Sequence, residues 1–528
     1  MGRISRLGGL GAIVAALALP AAASAAGPFT HGVTAGEITQ SSAVVWAQTK
    51  AAVKVSAEVD TQSNSRAQGS GVTPLKTSAA KDFTVQHKFT HLKPGTRYSY
   101  RFCAGKQCSD TGHFETAPKP SQSKTIHFAY SGDESAVAAK GQHKPFWGNF
   151  KAFKSMAGEH NDFNIDFGDT IYSDPEVPNI KTATTVKQKW GMYRKKLSVP
   201  NQVAVRESTG LYNHWDDHEF VNDFSKAENG VKLYKAGVTA FRDYEPVTYS
   251  KRNGIYRTFR WGKNLEVFFL DMRSFRSAKA SAHHVCDNGG SPDLAPTAPQ
   301  STRNVFSALV PSLANPPPPA CLTAINDPQR TMLGHRQYNR FLADVSSSTA
   351  KWKVVMTEDP IQQFYALPYD RWEGYAYERV QLLNDLSAAN VQNLVFMTTD
   401  THAALANVVR YRTLAGDSAP SNVPVGSPPL DTPYNDYVIG PVATKPFWQE
   451  IDDTTGNPNA GPLVSSAFFK PAPPSGMGMF CAQGGVNSYA EVTASATQLK
   501  IAYKDQNGHT LLDSDNTTPC GPYSIPAN

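Results

Sequence analysis

Past residue 25 the chain lacks any apolar run approaching the ~18 residues that a bilayer-spanning helix needs, so the mature protein is expected to be soluble, without a transmembrane anchor. Charge of one sign is also scarce. Lys and Arg number 51 against 45 Asp and Glu, a formal net charge of +6. Without Arg3 and Arg6 the balance is about +4. That suits small anionic substrates and gives no reason to expect a stable nucleic-acid complex. Cysteine is sparse, at six in 528 residues, and no spacing resembles a zinc-thiolate site. No internal repeat is found. Hydrophobic content of 40% and aromatic content of 10% are those of a globular chain with more than one domain.

The one long apolar run is at the start. Arg3 and Arg6 precede "LGGLGAIVAALALPAAASA", and Ala23-Ser24-Ala25 has the small-residue pattern of a cleavage site. A membrane anchor is the alternative, but the run is broken by Gly and ends in small residues. Residues 1–25 therefore read as a secretory signal peptide and the protein as extracytoplasmic. Cysteines in a secreted chain invite pairing. Pairing between neighbours gives Cys103–Cys108, Cys286–Cys321 and Cys481–Cys520, although spacing alone does not settle connectivity.

Residues 29–117 alternate as strands do: "SAVVWAQ", "AAVKVSAEV", "DFTVQHKF" and "RYSYRFCA" are β-branched or aromatic runs between turn residues. About seven such strands predict a small Ig- or fibronectin-like sandwich over 27–118. It carries no cluster of catalytic residue types, so a structural role is expected rather than a carbohydrate- or partner-binding one. After the Pro/Ser linker "TAPKPSQSK" the texture changes. Buried-type strands "TIHFAYSGD", "DFNIDFGDT", "LEVFFLDMR", "KWKVVMTED" and "VQNLVFMTTD" alternate with helical patterns "PFWGNFKAFKSMAG", "GHRQYNRFLADVSSS" and "GYAYERVQLLNDLSAAN". This predicts an α/β region over 119–528, with active groups past the carboxyl ends of the strands. Residues 281–329, with "NPPPPAC", read as a long surface insertion, and the chain closes on β-like "SYAEVTASATQLKIAYKD".

Five polar clusters stand at predicted strand ends: "YSGDES" (Asp133), "FGDTIY" (Asp169, Tyr172), "NHWDDHEFVND" (Asn213 to Asp223), "MTEDP" (Glu358, Asp359) and "TTDTH" (Asp400, His402). An Asp after a strand is often only a helix cap or turn former. Five in one region are harder to dismiss, because crowded carboxylates repel and drive one another toward protonation unless cations intervene. An oxygen-rich set with a few nitrogens suits Fe, Mn, Ca or Zn.

"FGDTIY", "WDDHE" and "TDTH" resemble the metal-binding signatures of calcineurin-like metallophosphoesterases. More narrowly they resemble PhoD-type alkaline phosphatases, and the likeness extends over nearly the whole mature chain, including "DRWEGYAYERVQLL". The resemblance implies a β-sandwich flanked by helices, with two or three metals at the strand ends. It implies that Asp169 bridges two metals, Tyr172 is a phenolate ligand of Fe3+, Asp217 binds the second metal, and His218 contacts the phosphate or protonates the leaving group. His402, with Asp400, is implied on the iron side. Asp133 stands where PhoD-type enzymes often carry Cys, so iron–thiolate ligation is not expected. Glu358 is a further ligand candidate, with Asp359 as the alternative.

The cofactors so implied are Fe3+ with Ca2+, or another divalent ion such as Mn2+ or Zn2+. Such a pair can hold a hydroxide that attacks phosphorus in line, without a covalent enzyme intermediate. Arg273, in "LDMRSFR", is expected to offset charge on the phosphoryl oxygens, with Arg276 a weaker candidate. His214 and Asp216 are expected to orient ligands. Asp174 reads as a turn residue, and His283-His284 as part of a solvated loop. The expected activity is hydrolysis of small phosphate monoesters by a secreted monomer. The alternative is a phosphodiesterase or phospholipase D-like hydrolase acting on phospholipid or nucleotide diesters. A non-catalytic binding protein of the same fold would have lost ligands, yet every signature keeps its acid or His.

Overall fold

The computed structural model describes residues 27–61 and 74–528; the expected signal peptide lies outside them. The N-terminal region forms β1 (Phe29–Gly36), β2 (Ala43–Thr49), β3 (Lys54–Thr61), β4 (Leu75–Lys76), β5 (Thr84–Phe89), β6 (Arg97–Ala104), β7 (Gln107–Cys108) and β8 (Gly112–Glu115). One sheet has the order β1-β2-β5. The other runs β4-β3-β6-β7, with β8 also pairing to β6. The two sheets pack face to face, and Val45, Ala47, Val59, Phe102 and Phe114 fill the space between, while β2 is buried on both sides, with Trp46 packing outward against the larger part. Cys103 and Cys108 are direct partners in the β6–β7 ladder and are disulfide-bonded.

The larger part contains β9 (Ile126–Ser131), β10 (Phe163–Phe167), β11 (Gly210–His214), β12 (Arg257–Trp261), β13 (Leu265–Phe269), β14 (Trp352–Thr357), β15 (Leu394–Thr398), β16 (Ala404–Arg412), β17 (Leu430–Val438), β18 (Cys481–Gln483), β19 (Ser488–Ala494), β20 (Gln498–Asp505) and β21 (Tyr523–Pro526). They make two mixed sheets, ordered β11-β10-β9-β19-β20-β21 and β12-β13-β14-β15-β17-β16-β18. The strands "FNIDF", "WKVVMT" and "LVFMT" are buried at every position, as expected of strands covered on both faces. Phe128, Ile165, Val267, Met356 and Ile501, drawn from both sheets, meet in one core. Helices cover the outer faces.

Register decides where the chemistry falls. β9, β10 and β11 are parallel, with Phe163 opposite both Phe128 and Gly210. β13, β14 and β15 are likewise parallel, with Phe269 opposite Met356 and Met356 opposite Met397. Six strands thus end together along one edge, and each is followed within a few residues by an acidic side chain.

Two expectations are refined. The helix after the linker begins only at Lys151 and ends at Gly158. Gly148 (φ 125°) and Phe150 (φ 59°) take conformations that a right-handed helix cannot contain. Residues 281–329 are not a featureless excursion. They hold helices Gln300–Phe306 and Pro319–Ile325, the Cys286–Cys321 disulfide and the buried Arg303, whose guanidinium donates to both oxygens of Asp293 at 2.7 and 2.8 Å. Cys481 and Cys520 form the third disulfide. Among the described residues no helix is long and apolar enough to cross a membrane.

Candidate metal centre

Sharp turns at the strand ends aim the carboxylates inward. Gly132 follows β9, and a Cβ there would lie 2.3 Å from the Phe167 carbonyl oxygen, so only glycine fits. Gly168 follows β10 at φ 85°. Asp133 (φ 64°), Asp169 (φ 52°), Asp400 (φ 60°) and His402 (φ 54°) all adopt the left-handed conformation. Four such residues in one cleft mark stored backbone strain, held by surrounding bonds. Asp133 N donates to Gly168 O at 3.2 Å, Asp400 N to Asp133 Oδ1 at 3.3 Å, and Thr399 Oγ1 to Phe167 O at 2.7 Å.

The result is a chain of overlapping triads. Ligand-type atoms of Asp133, Asp169 and His402 lie within 4.8 Å of one another. The same holds for Asp169, Asp217 and His218, for Asp216, Asp217 and Asp400, and for Asp217, Asp223 and Asp370. Asp169 joins the first two triads and Asp217 the last three. The Tyr172 hydroxyl reaches the first, 2.9 Å from His402 Nε2, and its ring stacks on that of His218 with centroids 4.1 Å apart.

Burial makes this arrangement costly without cations. Asp133, Asp169 and Asp217 are almost fully buried. Among the described residues, Asp133 Oδ2, Asp216 Oδ2, Asp217 Oδ1 and both oxygens of Asp359 have no hydrogen-bond donor. Burial, reinforced by Asp216, pushes the Asp133 carboxyl up to about 8. Burial and the neighbouring Asp217 and Asp216 push Asp169 well above the carboxylate range. Burial and Asp359 do the same to Asp400. Tyr172 is raised by burial and by Asp169. A donor set of orphaned carboxylate oxygens, a phenol and imidazoles fits hard or borderline cations.

The two histidines are held by carboxylates. Burial alone would lower the His218 pKa, but Asp217 and Asp174 raise it to about 10. His218 Nδ1 donates to Asp174 Oδ1 at 2.7 Å, and Asp174 Oδ2 is in turn fixed by Asn222 N at 2.7 Å. His402 Nδ1 donates to Glu450 Oε1 at 2.7 Å, and this contact overrides burial to bring His402 to about 9. Asp174, expected to be a turn residue, is therefore an orienting group. Its only sequence signal is its place five residues after Asp169. Glu450 had none, lying 48 residues beyond its partner on the helix Phe447–Thr455.

Two expected residues sit differently. Glu358 turns away from the triads. Its Oε1 accepts from His214 Nε2 at 3.0 Å and its Oε2 from Met272 N. The next residue, Asp359, faces Arg273 instead, at 3.3 Å. Arg273 is fully buried. Its Nε contacts Asp216, Nη1 lies 3.4 Å from Asp370 Oδ2, and Nη2 lies 3.5 Å from Asp400 Oδ1. A guanidinium so surrounded is not free to reach a substrate. Asp216 joins the site directly and is braced by Glu219, whose Oε2 accepts from Asp216 N at 2.9 Å. Arg276 donates to backbone oxygens of Asp370 and Asp223. His284 pairs with Asp287 in the exposed insertion, apart from the site.

Two mixed sheets packed face to face, with acid and imidazole triads at the ends of their parallel strands, define the metallophosphoesterase architecture. The chain matches the family model described as PhoD-like phosphatase over residues 136–449, and the N-terminal domain model of the same family over residues 14–118. It belongs to the PhoD-like phosphatase family. Alkaline phosphatase D of Bacillus subtilis (strain 168) is 26% identical over 426 residues, which is 72% of this chain; the alignment spans 65% of that relative's length. Among solved structures, that of PhoD superposes with TM-score 0.67 at 20% identity, covering 95% of this chain and 89% of the other. The purple acid phosphatase PPD1 from yellow lupin (Lupinus luteus) seeds superposes with TM-score 0.51 at 12% identity, over 91% of this chain and 72% of the other. At these identities the two structures speak to fold.

Proposed function

We propose that this chain is a secreted, metal-dependent phosphatase that hydrolyses phosphate monoesters. The observation that carries the reading is the row of triads sharing Asp169 and Asp217, with buried carboxylate oxygens left without donors. Asp133, Asp169, Tyr172 and His402 offer the mixed oxygen and nitrogen set suited to Fe3+. Asp217, with Asp216, Asp400, Asp223 and Asp370, offers the carboxylate set suited to Ca2+ or a similar divalent ion. Bound there, such cations would offset charge on the phosphoryl oxygens and make a coordinated water acidic.

The protein's own groups do the rest. His218, held by Asp174 at 2.7 Å, would give a proton to the leaving-group oxygen. Glu450 and Glu358 hold His402 and His214 in one orientation each. Arg273 serves as an internal counter-ion that keeps Asp216, Asp359, Asp370 and Asp400 together, in place of the phosphate contact first expected of it. Asp359 replaces Glu358 as the candidate ligand from the end of β14. The three disulfides support an oxidising, extracytoplasmic setting.

The test is phosphate release from p-nitrophenyl phosphate, set against hydrolysis of bis(p-nitrophenyl) phosphate, by metal-replete and chelated protein. Faster turnover of the diester would favour the phosphodiesterase reading, and no turnover of either would sink both. Elemental analysis with a visible spectrum identifies the metal. A phenolate-to-iron band lost in Tyr172→Phe is expected, and an active, iron-free, colourless enzyme would remove the iron assignment.

A further inference from the structure

Beside the metal centre lies a cavity of about 110 Å³ that the chemistry above does not use. Its wall is apolar, built by Ala298, Phe306, Phe364, Phe447, Ile451 and Phe468 among others. The same segments carry the centre. Phe447 N donates to His402 O at 3.1 Å, and Ile451 follows Glu450, which holds His402. Phe364 lies on the loop leaving Asp359. The other side is closed by residues 294–313 of the insertion, which the expected phosphatase chemistry leaves without a task.

Among the described residues two charged side chains line this apolar space: Arg303, whose guanidinium is bound by Asp293, and Arg371. Arg371 is 8% exposed, its guanidinium carbon lies 5.4 Å from the Phe364 ring centroid, and its Nη1 has no hydrogen-bond partner among the described residues. It is the neighbour of Asp370, in the last triad. A buried guanidinium nitrogen without an acceptor is costly, and an anion would satisfy it. The surroundings of the cavity are also unusually apolar. Leu367 on its lining is 37% exposed, Val305 on the helix of Phe306 is 70% exposed, and Leu463 beside the lining Val464 is 47% exposed.

We propose that this cavity is a substrate subsite that takes the short alkyl portion of an amphiphilic phosphoester, with Arg371 pairing to the ester's anionic group as it enters the centre. This rests on the phosphoester reading above and adds the class of organic group the enzyme prefers. A cavity of 150 Å³ admits benzene; by proportion, about 110 Å³ takes roughly four carbons.

The experiment measures binding of methyl-, ethyl-, butyl- and hexylphosphonate to the metal-loaded full chain by calorimetry. Affinity is expected to rise about fourfold per methylene from methyl to butyl and to level off by hexyl. Ala298→Phe, which fills the cavity, is expected to bring the butyl-to-methyl affinity ratio close to one, with retained folding checked by its melting temperature. Arg371→Met is expected to weaken the whole series by about tenfold. Methylphosphonate binding with no dependence on chain length in the unaltered protein would overturn the subsite while leaving the phosphoester reading intact. Failure of every phosphonate to bind, together with no hydrolysis of any ester, would overturn that reading and the subsite with it.

Discussion

Two buried acidic clusters lie back to back in this protein, joined by the peptide between Asp133 and Glu134. Behind the strand ends, Lys196 Nζ sits 2.8 Å from Glu134 Oε1, 3.0 Å from Asp166 Oδ2 and 3.6 Å from Glu245 Oε1. Arg206 pairs with Glu245 at 2.6 Å and covers the Trp46 ring at 5.0 Å, tying this cluster to the N-terminal sandwich. In front of the strand ends, among the described residues, Asp133, Asp169 and Asp217 have no lysine or arginine paired to them, and Arg273 pairs with Asp216, Asp359, Asp370 and Asp400. The difference teaches where an external cation belongs. Both clusters hold buried carboxylate oxygens without hydrogen-bond donors, those of Glu134 and Asp166 behind and of Asp133 and Asp217 in front among them. The rear one is ion-paired to its own Lys196 and Arg206. The front one leaves Asp133, Asp169 and Asp217 without such a cation among the described residues and holds its backbone in strained conformations, the features expected of a site built for metals.

The contrast can be broken from either side. The largest effect is expected in front: Asp169→Asn should cost about 10³-fold in kcat together with measurable metal loss, followed by phosphate release and elemental analysis. Unchanged metal and turnover would remove the centre from this place. Behind, Lys196→Met should leave buried carboxylates unpaired and lower stability by about 3–5 kcal/mol, seen in denaturant melts. If added metal ions rescued that variant, the two clusters would not be distinct in kind.

Removing the metals should expose the front cluster's pH dependence. Asp133 has a folded-state pKa of about 8 because of burial, above its unfolded value near 4. The stabilisation associated with its proton is thus fully present below about pH 4 and lost as pH rises through about 8. Chelated protein should therefore melt at lower temperature at pH 8.5 than at pH 5, and the metal-loaded protein should show a much smaller difference. A similar slope in both forms would mean that cations do not neutralise these carboxylates. The smallest effect is expected from Asp174→Asn, which keeps the His218 contact but loses its charge. Turnover should fall by roughly tenfold with metal content retained, and the loss should be greatest for esters with poor leaving groups. An equal loss for good and poor leaving groups would argue against His218 as the proton donor.

Much of this was legible beforehand. The apolar runs ending in Gly-Asp, Glu-Asp and Thr-Asp are local patterns, and parallel sheets bring their carboxyl ends to one edge, so the clusters could be expected to meet. The disulfide partners were also neighbours in sequence. Orientation was not legible. Glu358 and Asp359 are adjacent, and only the path of the loop after β14 turns one toward His214 and the other toward Arg273. Arg273 follows a strand, as a substrate-binding residue would, but four segments close around it. Asp174 and Glu450 carry no pattern of their own, because a carboxylate becomes an orienting group only through the imidazole it touches.

By itself the sequence determined which strands form, that each central one ends in an acid, and that the carboxylates are too many to be crowded together without cations. These follow from periodicity, turn chemistry and charge, all of which act over a few residues. Tertiary structure alone decided which carboxylates remain unpaired, which cations are spent inside the protein, and that an apolar cavity lined by Arg371, with its unsatisfied Nη1, lies beside the centre. Those outcomes depend on side chains hundreds of residues apart being desolvated together, and the energy of a buried charge is set by whatever surrounds it.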